Sequence, residues 1–144
     1  MLPKLTLEQI PPTYSRCFLA DCPLAETCLR HQAGLCLNAD ISQGFSVFPN
    51  ARTETGCKHF QPIRLIRAAW GFDAIFAEVK SKDETILRNQ IKDYLGEHSA
   101  YYRYHNGKRK LTPQQQEWII NLFRKYGYQD PLEFDHYTEI YDFS

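Results

Sequence analysis

No apolar run in this chain approaches the roughly 20 residues that a membrane-crossing helix requires, so a bilayer-spanning role is not expected. Net charge is missing too: 17 Lys and Arg balance 17 Asp and Glu, which removes the strongly basic balance of a dedicated nucleic-acid binder. The opening Met1-Leu-Pro-Lys-Leu-Thr has no basic stretch leading into an apolar one, so no secretory signal is read there. Catalytic motifs are likewise scarce. There is no Gly-rich phosphate cradle, no Gly-x-Ser-x-Gly elbow and no His-Glu-x-x-His pair on a helix. The histidines at 31, 59, 98, 105 and 136 are scattered, and no catalytic residue is assigned. A non-enzymatic protein in a reducing, cytoplasmic setting is the expectation.

Cysteine is absent after residue 57, and all five thiols, Cys17, Cys22, Cys28, Cys36 and Cys57, fall before it. Thiols gathered in one stretch of a chain without an export signal point to a bound metal rather than to disulfides, and the odd count argues the same way. Zinc takes four soft ligands in a tetrahedron with metal–sulfur bonds of about 2.3 Å, which a looped chain can wrap. Cys17, Cys22, Cys28 and Cys57 are the expected set, with a structural zinc as the expected ion. Cys57 is preferred to Cys36 because it lies just before the helical half and would fasten the loops to it. Cys36 is the spare, and His31 and His59 are reserves. An iron–sulfur cluster on the same four thiolates is the alternative, with an iron–sulfur or thiol redox role as the function it would imply, and buried free thiols are the reading without a metal.

The composition changes near residue 62. Residues 1–62 hold most of the prolines and all the thiols, which predicts a Cys-rich irregular lobe of loops and turns held by cross-links. Residues 63–144 read as a helical domain with a β-hairpin and an acidic, aromatic tail, the two parts making one folding unit. From Ile63, the residues Leu65, Ala68, Ala69, Phe72, Ile75, Phe76 and Val79 recur at helical spacing, with Gly71 the weak point. A second helix is expected to start from a Ser81/Glu84 capping box, bury Ile86, Leu87, Ile91, Tyr94 and Leu95, and stop at Gly96. Thr112-Pro113 opens a third, with Trp118, Ile119, Leu122, Phe123 and Tyr126 as its apolar stripe and Gly127 as its stop. Between them Asn106-Gly107 signals a two-residue turn, so a hairpin with arms near 101–105 and 108–111 is expected. The fold class is therefore α+β: an irregular Cys-rich lobe packed on a small helical domain with one hairpin.

Residues 63–128 carry 12 basic and 7 acidic side chains, whereas residues 129–144 carry 5 acids and no Lys or Arg. Self-neutralisation of these two stretches is the simpler account. The hairpin tip would nevertheless set Arg103, Lys108, Arg109 and Lys110 among Tyr102 and Tyr104. Cations interleaved with rings suit phosphates and stacked bases, which makes nucleic acid the alternative partner. A protein partner, meeting an exposed aromatic face, is the leading one.

Several stretches together resemble an uncharacterised family of small, cysteine-containing Bacteroidales proteins, a domain of unknown function. They are Cys17 through Arg30, Cys57-Lys-His-Phe60, Tyr101-Tyr-Arg-Tyr104 with Gly107, and Leu111 through Gln116. Gly127-Tyr128 and Phe134 through Tyr137 complete them. The resemblance covers nearly the whole chain. It implies a bacterial cytosolic setting and supplies no activity.

Overall fold

Prolines and thiols closely spaced along the first third leave room only for short elements, and the computed structural model, which describes residues 2–96 and 98–144, has only short ones there. Single 3₁₀ turns occur at Leu7–Gln9, Ala25–Thr27 and Pro49–Ala51, and one helix, α1, covers Leu29–Gly34. Strands β1 (Arg52–Thr53) and β2 (Gly56–Cys57) pair antiparallel, with Arg52 opposite Cys57. The chain divides into two units, Met1–Leu65 with Tyr141–Ser144, and Ile66–Ile140.

The first unit gathers Ile10, Tyr14, Leu29, Ala33 and Tyr141 into a small apolar cluster, with Leu5, Cys36, Ile63 and Phe143 packed around it. The C-terminal residues are tied in by polar contacts. The Gln61 side-chain amide donates to the carbonyls of Asp142 and Ser144 at 3.2 and 3.1 Å, and the Tyr141 hydroxyl donates to the Pro3 carbonyl. The Tyr14 ring meets Phe143 edge-on at 4.9 Å.

The second unit holds most of strand β3 (Leu65–Trp70), then helices α2 (Asp73–Phe76), α3 (Ser81–Leu95), α4 (His98–Asn106) and α5 (Pro113–Lys125), and most of strand β4 (His136–Tyr141). Its core is built on Phe72, Ile75, Leu87, Ile91, Tyr101, Leu111, Ile119, Phe123 and Phe134. Burying each such side chain stabilises by roughly 1.5–3 kcal/mol before chain entropy is counted. Strands β3 and β4 pair with each other. The Asp135 N–H donates to the Gly71 carbonyl and the Asp142 N–H to the Arg64 carbonyl, so the two strands run in opposite directions. Leu111 adds a single bridge to β3, exchanging hydrogen bonds of 3.1 and 2.7 Å with Ala69.

The α+β class and the third helix match the sequence reading. Thr112 caps α5, its hydroxyl accepting from the Gln115 N–H at 3.3 Å while the Gln115 side chain returns a bond to Thr112 N–H. Ile119, Leu122 and Phe123 are buried, whereas Trp118 lies outside and stacks on Tyr94 at 3.8 Å. Tyr126 is also exposed, its hydroxyl accepting from the Gln90 side chain.

Four expectations are corrected. The helix expected from residue 63 is instead strand β3 followed by the single turn α2, because β4 and Leu111 supply backbone partners that no local pattern announces. Helix α3 has no capping box: Lys80 is its N-cap, Ser81 is its first residue, and Glu84 pairs with Arg88 at 2.6 Å. Ile86 and Tyr94 stay exposed, leaving Leu87 and Ile91 as its buried side. The hairpin at 101–111 is absent, since 98–106 is helical. Gly107, at φ +83°, ends α4, and the Trp70 ring lies where its Cβ would be, 2.9 Å away. A helix-stopping glycine and a type I′ turn both require positive φ, so the Asn-Gly signal serves either. The acidic, aromatic tail contributes β4.

Candidate metal centre

Each of the four expected ligands is carried by a different piece of the first unit. Cys17 follows the segment bridged to Ser46 through Arg16, Cys22 sits in a turn, Cys28 is the N-cap of α1, and Cys57 ends β2. Arg30, on α1, straps these pieces together. Its Nε donates to the His59 carbonyl at 2.9 Å, its Nη1 to the Ser15 carbonyl at 3.0 Å, and its own carbonyl accepts from the Cys17 N–H at 3.0 Å. Close approach finishes the arrangement. A Cβ on Gly34 would lie 2.4 Å from the Cys17 carbonyl oxygen, so only glycine lets the Cys17 strand lie this near α1.

Cys17, Cys22, Cys28 and Cys57 line one cavity of about 20 Å³, together with Arg30 and His31. That volume suits a single water-sized sphere. His59 also borders it but is exposed on the outside. The His31 Nδ1 is buried and has no hydrogen-bond partner among the described residues. A buried ring nitrogen without a partner is costly, and a cation that took His31 in place of one thiolate would satisfy it. Two sulfurs already accept hydrogen bonds of the kind a metal-bound thiolate takes from its surroundings. The Arg52 Nη1 donates to Cys22 Sγ and the His59 backbone N–H to Cys57 Sγ, both at 3.4 Å.

The sulfurs surround the cavity more widely than a bound ion would hold them. Among the described residues no three of the thiols come within 4.8 Å of one another. A tetrahedron with bonds of about 2.3 Å would set them a little under 4 Å apart, so the sulfurs would have to draw together around an ion. Cys36 lies elsewhere. It packs in the apolar cluster of the first unit, and its thiol donates to the Leu5 carbonyl at 3.5 Å.

Tyr14 stands behind this region. Burial pushes its hydroxyl up to about 12, with Arg30 opposing the shift and Cys28 adding to it. The hydroxyl donates to the Gln61 side chain at 2.6 Å.

The family model that matches this chain covers residues 1–143, all but its last position. The chain belongs to the family of unknown function DUF6078. No curated protein and no solved structure matches it.

In this DUF6078 chain one further cluster of possible ligands escaped the sequence reading. Asp73, His105 and Asp135 bring one ligand atom each within 4.8 Å of one another. Their hydrogen bonds give them another task. Both Asp135 oxygens are taken by the first N–H groups of α2, at 3.1 Å from Asp73 and 2.6 Å from Ala74. The His105 Nδ1 accepts from the Phe72 N–H at 3.1 Å, which forces the ring proton onto Nε2, facing Asp73 Oδ1 at 3.9 Å. A metal would need the lone pair that this proton occupies. The trio clamps the start of α2. Its members are distant in sequence, and no local spacing signals them. Beside it, His136 points the other way and stacks on Trp70 at 3.9 Å.

The residues proposed for nucleic acid lie on α4 and the turn after it. Arg103, Lys108 and Arg109 are exposed, and Tyr102 is the one exposed ring of the set. Tyr104 is half-buried under the Arg109 guanidinium, with its hydroxyl accepting from Gln115, and Lys110 donates to the Gly107 carbonyl at 2.8 Å. Without a hairpin there is no protruding basic tip, and one of the two rings meant for bases, Tyr104, is engaged inside the unit.

Proposed function

We propose that this protein is a non-enzymatic binding module whose first unit is held by a structural zinc on Cys17, Cys22, Cys28 and Cys57, and that it acts by binding another protein. The observation carrying the metal is that these four cysteines line one ion-sized cavity. A closed thiolate shell leaves no open position for substrate, so the metal's work is to hold loops that bury little apolar surface of their own. A reducing cytoplasm, which keeps all five cysteines as free thiols, fits this use.

The partner reading rests on apolar surface left uncovered in the same unit. Phe18, Leu35, Leu37, Phe45 and Phe48 are all exposed, Phe48 to 73%. Exposed rings gathered in one unit mark interaction surfaces. The deciding experiment is elemental analysis of native protein. One zinc per chain is expected, retained in Cys36→Ser and lost in Cys28→Ser. A brown, visibly absorbing preparation would assign the thiolates to an iron–sulfur cluster, and metal-free protein would remove both. For the partner, Phe45→Ser with Phe48→Ser should abolish association with the bound protein while leaving zinc content unchanged.

A further inference from the structure

Arg16 is the one charged residue among the described residues that is buried, with 8% of its surface exposed. Its Nε donates to the Ala33 carbonyl at 3.1 Å, yet no carboxylate lies within ion-pair distance among the described residues. The two terminal nitrogens have no acceptor among those residues either. A buried guanidinium is normally paired, because an arginine keeps its charge wherever it sits. Here the unpaired end lines a cleft of about 250 Å³ whose walls are Phe18, Leu37, Ile41, Gly44 and Phe45. Nη1 lies 3.9 Å from the position a Cβ on Gly44 would take, so the cation reaches the cleft wall. The side chain cannot swing away easily. Its own backbone is pinned on both sides, the Arg16 N–H to the Phe45 carbonyl at 3.1 Å and the Val47 N–H to the Arg16 carbonyl at 2.7 Å.

An apolar cleft with a fixed cation at its base recognises a carboxylate attached to apolar groups. We infer that this cleft takes the free C-terminal carboxylate of a partner polypeptide, with its last apolar side chains packed on Phe18 and Phe45. This deepens the protein-binding reading above and rests on it. Two features favour a polypeptide over a small acyl carboxylate. The cleft shares Phe18 with a second one of about 180 Å³, bordered by Val47, Phe48 and Pro49, so a longer chain has somewhere to continue. Moreover, the backbone N–H groups of Ser42, Gln43 and Gly44 along the rim make no hydrogen bond within the described residues, and peptide carbonyls can accept from them.

The test uses the full chain and a labelled peptide ending in three apolar residues, prepared with a free carboxylate and as the amide, read by fluorescence anisotropy. The free form is expected to bind at least about tenfold more tightly than the amide, the worth of one charge-assisted pair. Arg16→Gln should erase the difference. Because that variant also loses the bond to Ala33, Ser42→Glu is the second: it sets a carboxylate at the cleft and leaves Arg16 in place, and it should weaken the free form alone with far-UV dichroism unchanged. Equal binding of free and amidated peptide, sensitive to Phe45→Ser, overturns the carboxylate while sparing the protein-binding face. Octanoate competing as well as the peptide, or no binding of either peptide, overturns the inference outright.

Discussion

Cys28 and Cys36 are both part of the first unit, and their surroundings differ. Cys28 faces the ion-sized cavity, whereas the Cys36 thiol donates to a carbonyl inside an apolar cluster. Substituting serine therefore separates ligand from packing: Cys36→Ser is expected to cost at most about 1–2 kcal/mol of stability with metal retained. Gly34 sharpens the same point through sterics. Alanine normally improves a helix over glycine by about 0.5–1 kcal/mol. At this position its Cβ would meet the Cys17 carbonyl oxygen at 2.4 Å, so Gly34→Ala is expected to destabilise by about 1–3 kcal/mol instead, and to lower metal content by displacing Cys17. Urea unfolding and elemental analysis check the two effects separately; a stabilised variant with full metal would show that the approach is not needed. Tyr14 gives a pH signature. Its hydroxyl titrates near 12 rather than the ordinary 10, since burial disfavours the phenolate. The folded state thus holds this proton more tightly than the unfolded one. The stabilisation is complete below about 10 and is lost as pH rises from there through about 12. The Tyr101 and Tyr128 hydroxyls are raised as well, so phenolate absorbance should lose one of several late-titrating groups in Tyr14→Phe.

Helices whose ends are set by local chemistry are the elements that could be read directly. Thr112, Pro113 and Gln115 form the start of α5 within four residues, and Thr112→Ala should cost about 1 kcal/mol, measurable by chemical denaturation. Strand β3 could not be read this way. Leu65 through Trp70 have apolar spacing that also fits a helix, and the choice is made by β4, far along the chain, together with the bridge to Leu111. The Asn106-Gly107 pair was legible as a site of positive φ but not as to which structure uses it. Its real setting is identified by Trp70, whose ring fills the space beside Gly107. Gly107→Ala must accept an unfavourable φ and move that ring, so a loss of more than about 1 kcal/mol is expected, with the Trp70 fluorescence environment altered. An unchanged melting curve would mean that the end of α4 tolerates either residue.

At the level of the whole chain, the two units differ in what holds them. The second buries Phe72, Leu87, Ile91, Ile119 and Phe123 completely or nearly so, a core able to support itself. The first has a smaller cluster, short elements and exposed rings, the situation in which small lobes rely on a metal. The thiols were legible because all five fall in the first 57 residues of the sequence; the cleft at Arg16 was not, because an unpaired cation is defined by what fails to approach it in space. If the metal is the staple, removing it should act locally. A zinc chelator is expected to open the amides of Cys17, Leu29 and Cys57 to hydrogen exchange, while those of Leu87, Ile91, Ile119 and Phe123 keep their protection. Uniform loss would make the metal a support of the entire chain. No loss in the first unit would leave its loops held by the apolar cluster and by contacts such as those of Arg30, Arg16 and Tyr14, and zinc would have no structural work to do there.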